Sequence, residues 1–251
     1  MKKIFYLYTT NAQKLTNFKR KYYLIPQSLL NHVFKTGNYT EFRIYLYLKS
    51  TSDGHIKGLD KSILARQLKI SQSTLSRSLK SLFAKNWLGY NAKKGIYHVR
   101  AFNTVLQIEG LRGRLGTWFD TSKFESLNEF IDSSVVSEIV RRKKVEHWRA
   151  QQKGSAVQLQ MFFEISVRYF ANYTGLSDMT AQRRLAKARQ SSFLLFEKSK
   201  SVCLGKHGAA FKIGYPELAD AVFYKAGKYY LRQGSKFQTT LLFKKRRKCT
   251  V

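Results

Sequence analysis

Leu64–Leu88, LARQLKISQSTLSRSLKSLFAKNWL, decides the reading of this chain. Just ahead of it, Asp60 stands where a helix N-cap is needed, and Ile63, Leu64 and Leu68 give the following SILARQL an apolar face. Lys69-Ile70 makes a tight turn, after which Ser71 caps a second helix, QSTLSRSLKSLFAKN. The buried stripe of that helix is Leu75, Leu79, Leu82 and Phe83, at i, i+4, i+7 and i+8. Its opposite face is Gln72, Ser73, Ser76, Arg77 and Lys80. Next, WLGYN-AKKG-IYHVR alternates apolar and polar residues around Lys93-Lys94-Gly95, the pattern of a β-hairpin with a basic tip. Upstream, EFRIYLYLKS from Glu41 is an apolar helix that offers Phe42, Tyr45, Leu46 and Leu48 to a core, and SDGHIKGL suits a turn and a short strand.

From Glu41 to about Phe102 this order resembles the winged helix-turn-helix family of DNA-binding proteins. The resemblance implies that the second helix of the pair enters the major groove and that the hairpin touches backbone or minor groove. It places Ser71, Gln72, Ser73, Thr74, Ser76, Arg77 and Lys80 toward DNA, with Lys93 and Lys94 at phosphates. The chemistry suits those roles: Gln and Arg make bidentate contacts to base edges, while Ser, Thr and Lys hold phosphates. The plainer alternative is a solvated polar helix face and a charged turn.

The pattern returns 106 positions later, Ser71 falling on Ser177. Without a gap, Ala65 meets Ala171, Thr74 meets Thr180, Arg77 meets Arg183, Leu79 meets Leu185, and Trp87-Leu88 meets Phe193-Leu194. ANYTGLSDMTAQRRLAKA reads as a second helix-turn-helix, with Gly175 at the turn. Its expected DNA-facing residues are Met179, Thr180, Gln182, Arg183 and Arg184, and Asp178 compensates the helix dipole. Phe193–Glu197 and Phe211–Ile213 are the expected wing strands, and His207 between them reads as a loop residue. Residues 137–163 supply the preceding helix, whose Arg141-Arg142-Lys143-Lys144 is either a phosphate strip or a solvated face.

Charge supports a polyanionic partner. Lys and Arg number 46 against 15 Asp and Glu, a formal net charge of +31 over 251 residues. No apolar run is long enough to span a membrane, and Cys203 and Cys249 form no metal-ligand pattern, so neither metal nor cofactor is expected. No phosphate loop, paired carboxylates or nucleophile–base motif suggests an enzyme. The expected fold class is mainly α with small β-hairpin wings (α+β), in tandem winged helix-turn-helix domains. The expected organisation begins with a basic arm with a short strand and helix over 1–39 and a first unit over 40–108. An acidic connecting region over 109–136, a second unit over 137–235 and a basic tail over 236–251 follow. In the tail, Lys245, Arg246 and Arg247 are expected at phosphates.

The function this implies is sequence-specific binding of double-stranded DNA in the cytoplasm, as a transcriptional regulator. The alternatives are a plasmid or phage replication initiator at origin repeats, and an architectural DNA-binding protein. Transcription or replication machinery is the further partner class.

Overall fold

The computed structural model describes residues 22–152, 162–198, 201–214, 222–232 and 235–246. The chain divides into two compact units, a first built on 22–23, 40–110 and 119–124, and a second built on 24–39, 111–118 and the described residues from 125 onward. In chain order the elements are β1 (Tyr22–Pro26), α1 (Gln27–Thr36), α2 (Tyr39–Thr51), β2 (His55–Lys57), α3 (Lys61–Leu68), α4 (Gln72–Ala84), β3 (Leu88–Asn91), β4 (Ile96–Val99), α5 (Phe102–Ile108) and β5 (Leu115–Asp120). After a 3₁₀ segment at Thr121–Ser126 come α6 (Leu127–Gln152), β6 (Phe163–Glu164), α7 (Val167–Thr174), α8 (Asp178–Arg189), β7 (Leu194–Glu197), β8 (Ser201–Gly205), α9 (Gly208–Gly214), β9 (Val222–Lys225), β10 (Lys228–Arg232), β11 (Lys236–Thr239) and β12 (Phe243–Lys245). The fold is α+β, with three-stranded sheets ordered β1-β5-β12, β2-β4-β3, β6-β11-β7 and β8-β10-β9 among the described residues. No helix among them is long and apolar enough to cross a membrane.

In the first unit, α2 brings Phe42, Tyr45, Leu46 and Leu48 into the core, none more than 2% exposed. Trp87 is fully buried against the Tyr45 ring at 5.2 Å, and its indole N–H donates to Glu109 at 2.7 Å. Glu109 therefore satisfies a buried donor at the end of α5 rather than opening a connecting region. The Tyr45 hydroxyl donates to the Arg100 carbonyl at 2.8 Å, which ties α2 to the end of β4.

The second unit is organised by α6, which runs through the stretch expected to be a connection. Ile131 to Val140 are all buried, including Asp132, Ser133, Ser134, Ser137 and Glu138. Serine makes this possible because its hydroxyl is small and finds local acceptors. Ser134 donates to the Ile131 carbonyl at 2.8 Å, Ser133 pairs with Ser191 at 2.6 Å, and Ser137 accepts from Thr239 at 2.7 Å. On the other side α1 packs on α6, with Gln27 donating to the Ser134 carbonyl at 3.2 Å and Asn31 to the Glu138 carboxylate at 2.7 Å. The strand and helix expected in an arm are thus part of a core; residues 1–21 of that arm lie outside the described residues.

Two further expectations change. Phe211–Ile213 belongs to α9, and the strand beside β7 is β11, paired Phe237 to Phe196 and Thr239 to Leu194. A three-residue apolar alternation suits a helix as well as a strand, so local pattern does not discriminate. The basic tail begins with that strand and continues into β12, which pairs with β5 through Phe243–Thr117 and Lys245–Leu115. Lysines suit this position because β12 is an edge strand, where charge discourages pairing with another chain.

Candidate nucleic-acid interface

The helix pair of the first unit is built by caps. The Asp60 carboxylate accepts from the backbone N–H groups of Ser62 at 2.8 Å and Ile63 at 3.0 Å, a contribution of about 1 kcal/mol. α3 ends at Lys69 in the left-handed region (φ 53°), and the Ile70 N–H closes the turn on the Ala65 carbonyl at 3.0 Å. Ser71 then starts α4, its hydroxyl accepting from the Thr74 N–H at 3.1 Å. Leu75, Ser78, Leu79 and Leu82 face inward; Phe83, expected among them, is only half-buried, beside Tyr97.

The outward side of α4 carries Gln72, Ser73, Ser76, Arg77 and Lys80, all exposed, and no carboxylate lies anywhere in the helix. Gln72 also donates to the Ser62 hydroxyl at 3.1 Å, and Thr74 is half-buried beside its cap. The turn between β3 and β4 exposes Lys93 and Lys94, with the Asn91 side chain accepting from the Lys94 N–H at 3.2 Å and Gly95 at φ 60°.

The second unit repeats this construction. The starts of α7, α8 and β7 each lie 106 positions after those of α3, α4 and β3. Gly175 (φ 72°) takes the place of Lys69, and the Leu176 N–H closes on the Ala171 carbonyl at 3.2 Å as Ile70 does on Ala65. Ser177 accepts from the Thr180 N–H at 3.4 Å. The two sheets have the same spatial order, the strand before the helix pair at one edge and the last strand in the centre.

On α8, Met179, Gln182 and Arg183 are exposed, Thr180 is half-buried, and the Arg183 guanidinium lies 3.5 Å from the Met179 sulfur. Arg184 is differently placed. Its position matches Ser78, an inward one, and its guanidinium pairs with the buried Asp132 carboxylate at 3.4 Å while lying over the rings of Tyr39 and Phe34 at 4.7 and 5.6 Å. The 106-position offset itself carries this signal: Lys80 corresponds to Ala186, not to Arg184.

Tyr39 donates its hydroxyl to the same carboxylate. Burial raises the Asp132 carboxyl above the ordinary carboxylate value, opposed by the Tyr39 hydrogen bond and the Arg184 charge. Burial, then the Asp132 charge, likewise raises the Tyr39 hydroxyl. Arg184 is therefore a positioning residue that ties α8 to α6.

The Arg141-Arg142-Lys143-Lys144 run is mostly engaged. Arg142 pairs with Glu138 at 2.7 Å and lies over Tyr173, Lys143 donates to the Glu164 carbonyl at 2.9 Å, and Arg141 lies over Phe243; Lys144 is exposed. Lys245 is exposed at the end of β12, the Arg246 N–H donates to the Arg114 carbonyl, and Arg247 lies outside the described residues. On the segment between β7 and β11, Lys206, which the sequence places between the expected wing strands, is exposed; exposed Lys225 and Lys228 are not singled out in sequence, although no carboxylate follows Asp220. Among the described residues no group of three or more His, Cys, Asp or Glu stands together as a metal site.

Comparison of the chain with protein-family models, curated proteins and solved structures finds no match.

Proposed function

We propose that this chain is a sequence-specific double-stranded-DNA-binding protein with two winged helix-turn-helix units, α4 and α8 being the helices that enter major grooves. The observation that carries the reading is the repetition of one helix–helix–strand construction at a 106-position offset. In each copy the second helix exposes glutamine and arginine, Gln72 and Arg77 in one and Gln182 and Arg183 in the other. The net charge of +31 favours a phosphate backbone as partner and supplies affinity independent of sequence. Arg77 and Arg183 are assigned to base edges. Lys80, Lys93, Lys94 and Lys245 are assigned to phosphates, and the exposed Met179 to an apolar contact such as a thymine methyl. Two non-identical reading helices in one chain favour a bipartite site without a palindrome.

Regulation at a promoter is the cellular role proposed. The second reading, replication initiation at origin repeats, is favoured by the β1–α1 lead-in that precedes the tandem units. Bound sites arrayed as direct repeats at an origin support initiation; a single site overlapping a promoter supports regulation. The biochemical test is Arg77→Ala and Arg183→Ala. Each is expected to reduce discrimination between selected and random duplexes by about 1–3 kcal/mol. Equal losses on both duplexes would assign these arginines to phosphate alone.

A further inference from the structure

The 106-position offset sets Arg189, the last residue of α8, on Phe83 of α4. In unit 1, Phe83 joins α4 to the hairpin: its ring lies 6.0 Å from that of Tyr97, which lies 4.7 Å from Tyr90 across the β3–β4 pair. Unit 2 keeps the two strand rings. Phe196 matches Tyr90 by the offset, and its β11 partner Phe237 stands where Tyr97 does, the ring centroids 5.5 Å apart. The third member differs. The Arg189 guanidinium lies 5.1 Å from the Phe196 centroid and 6.0 Å from that of Phe237.

A cation over two rings can hold the end of a helix against a sheet, as a phenyl ring does. It brings a cost that the ring does not. The Arg189 Nε is buried without a hydrogen-bond partner, and no group among the described residues accepts from either Nη. Of the three nitrogens only Nε is both buried and unpartnered, so the two Nη groups reach the surface. The negative end of the helix dipole favours a cation here, but exposed Lys187 in the same turn meets that need without burying a donor. The guanidinium is thus fixed by its rings, with its outer donors turned to solvent and no bond within the fold to explain them.

Residues seven apart share a helix face, so Arg189 lies on the flank of Gln182. It stands about 10 Å further along the axis. A reading helix meets base edges with its N-terminal residues, and about 10 Å exceeds the major groove's depth of about 8.5 Å. Arg189 therefore falls beside the backbone when Gln182 is at bases. We propose that Arg189 anchors a phosphate of duplex DNA, its guanidinium held by Phe196 and Phe237 and its Nη groups donating to the phosphate oxygens. The proposal rests on the DNA-binding reading above and gives unit 2 a phosphate contact that Phe83 cannot supply in unit 1.

The test is duplex binding by the full chain at several salt concentrations, with selected and random sequences. Arg189→Phe installs the ring that unit 1 uses and is expected to keep the thermal midpoint close to the parent's. Its affinity is expected to fall about tenfold on both duplexes, and its slope of log affinity against log salt to shrink by about 0.9. Arg189→Lys keeps the charge and is expected to retain the slope. Should Arg189→Phe not fold, Arg189→Met, with an apolar stem and no charge, is read in the same assay and is expected to lose the same slope. A variant without the charge that keeps the parent's slope would overturn the proposal, as would a loss confined to the selected duplex, which would place Arg189 at a base. A parent chain without duplex affinity would overturn the DNA-binding reading as well; a parent that binds while Arg189→Phe keeps its full slope would overturn this inference alone.

Discussion

α4 and α8 occupy the same place in the two repeats but are held there by different physics. The inward side of α4 carries Leu75, Ser78, Leu79 and Leu82, whereas the matching positions of α8 are Ala181, Arg184, Leu185 and Ala188. Two leucines have become alanines, a loss of apolar burial at about 0.8 kcal/mol per buried methylene. Unit 2 places a charged pair at the remaining position, where Arg184 reaches Asp132 on α6 and lies over Tyr39 and Phe34. A helix register can therefore be kept by aliphatic packing or by a buried polar contact, and the two modes should respond differently to mutation and pH.

The aliphatic mode carries the heaviest cost. Leu79→Ala and Leu185→Ala should each cost about 2–5 kcal/mol in denaturant unfolding, with Leu185 toward the upper end because it is the one leucine on the inward side of α8. A larger loss at Leu79 would contradict the contrast. The polar mode comes next: Arg184→Ala should cost about 2–3 kcal/mol, because it leaves the Asp132 carboxylate buried without its cation. Ser78→Ala, at the matching position, should stay below about 1 kcal/mol. Similar costs at both positions would remove the distinction. Smaller again are the caps. Ser71→Ala and Ser177→Ala should each cost about 1 kcal/mol, Ser177 the less because its bond is 3.4 rather than 3.1 Å.

The mildest effect is in pH. The Asp132 carboxyl is raised in the folded chain, so the native state holds its proton more tightly than the unfolded one. Stability from this group is then present below the ordinary value of 3.8 and is lost as pH climbs through the raised value. The parent chain should lose stability relative to Asp132→Asn over that interval. If the parent instead gains, the attraction of Arg184 outweighs the burial cost.

Much of the helix-pair framework is legible in sequence because the same caps, turn and inward positions recur with one offset. Two copies constrain each other better than one window does. Arg184 reads as an outward residue because an arginine next to Arg183 looks solvated until its register is carried back to Ser78. The buried run in α6 is unreadable as core, since Ser133 and Ser137 find their partners only when Ser191 and Thr239 arrive from far along the chain. Likewise, the strand that pairs with β7 lies beyond a long insertion, and nothing local marks Lys236–Thr239 over Phe211–Ile213 as its neighbour.

Selection of fragments from a random double-stranded DNA library, by the intact chain, by Arg77→Ala and by Arg183→Ala, tests the role proposed for α4 and α8 at once. One enriched bipartite motif is expected, with information missing from one half in the first variant and from the other half in the second. No enriched motif, or a motif that both variants retain whole, would contradict the claim that α4 and α8 each read bases.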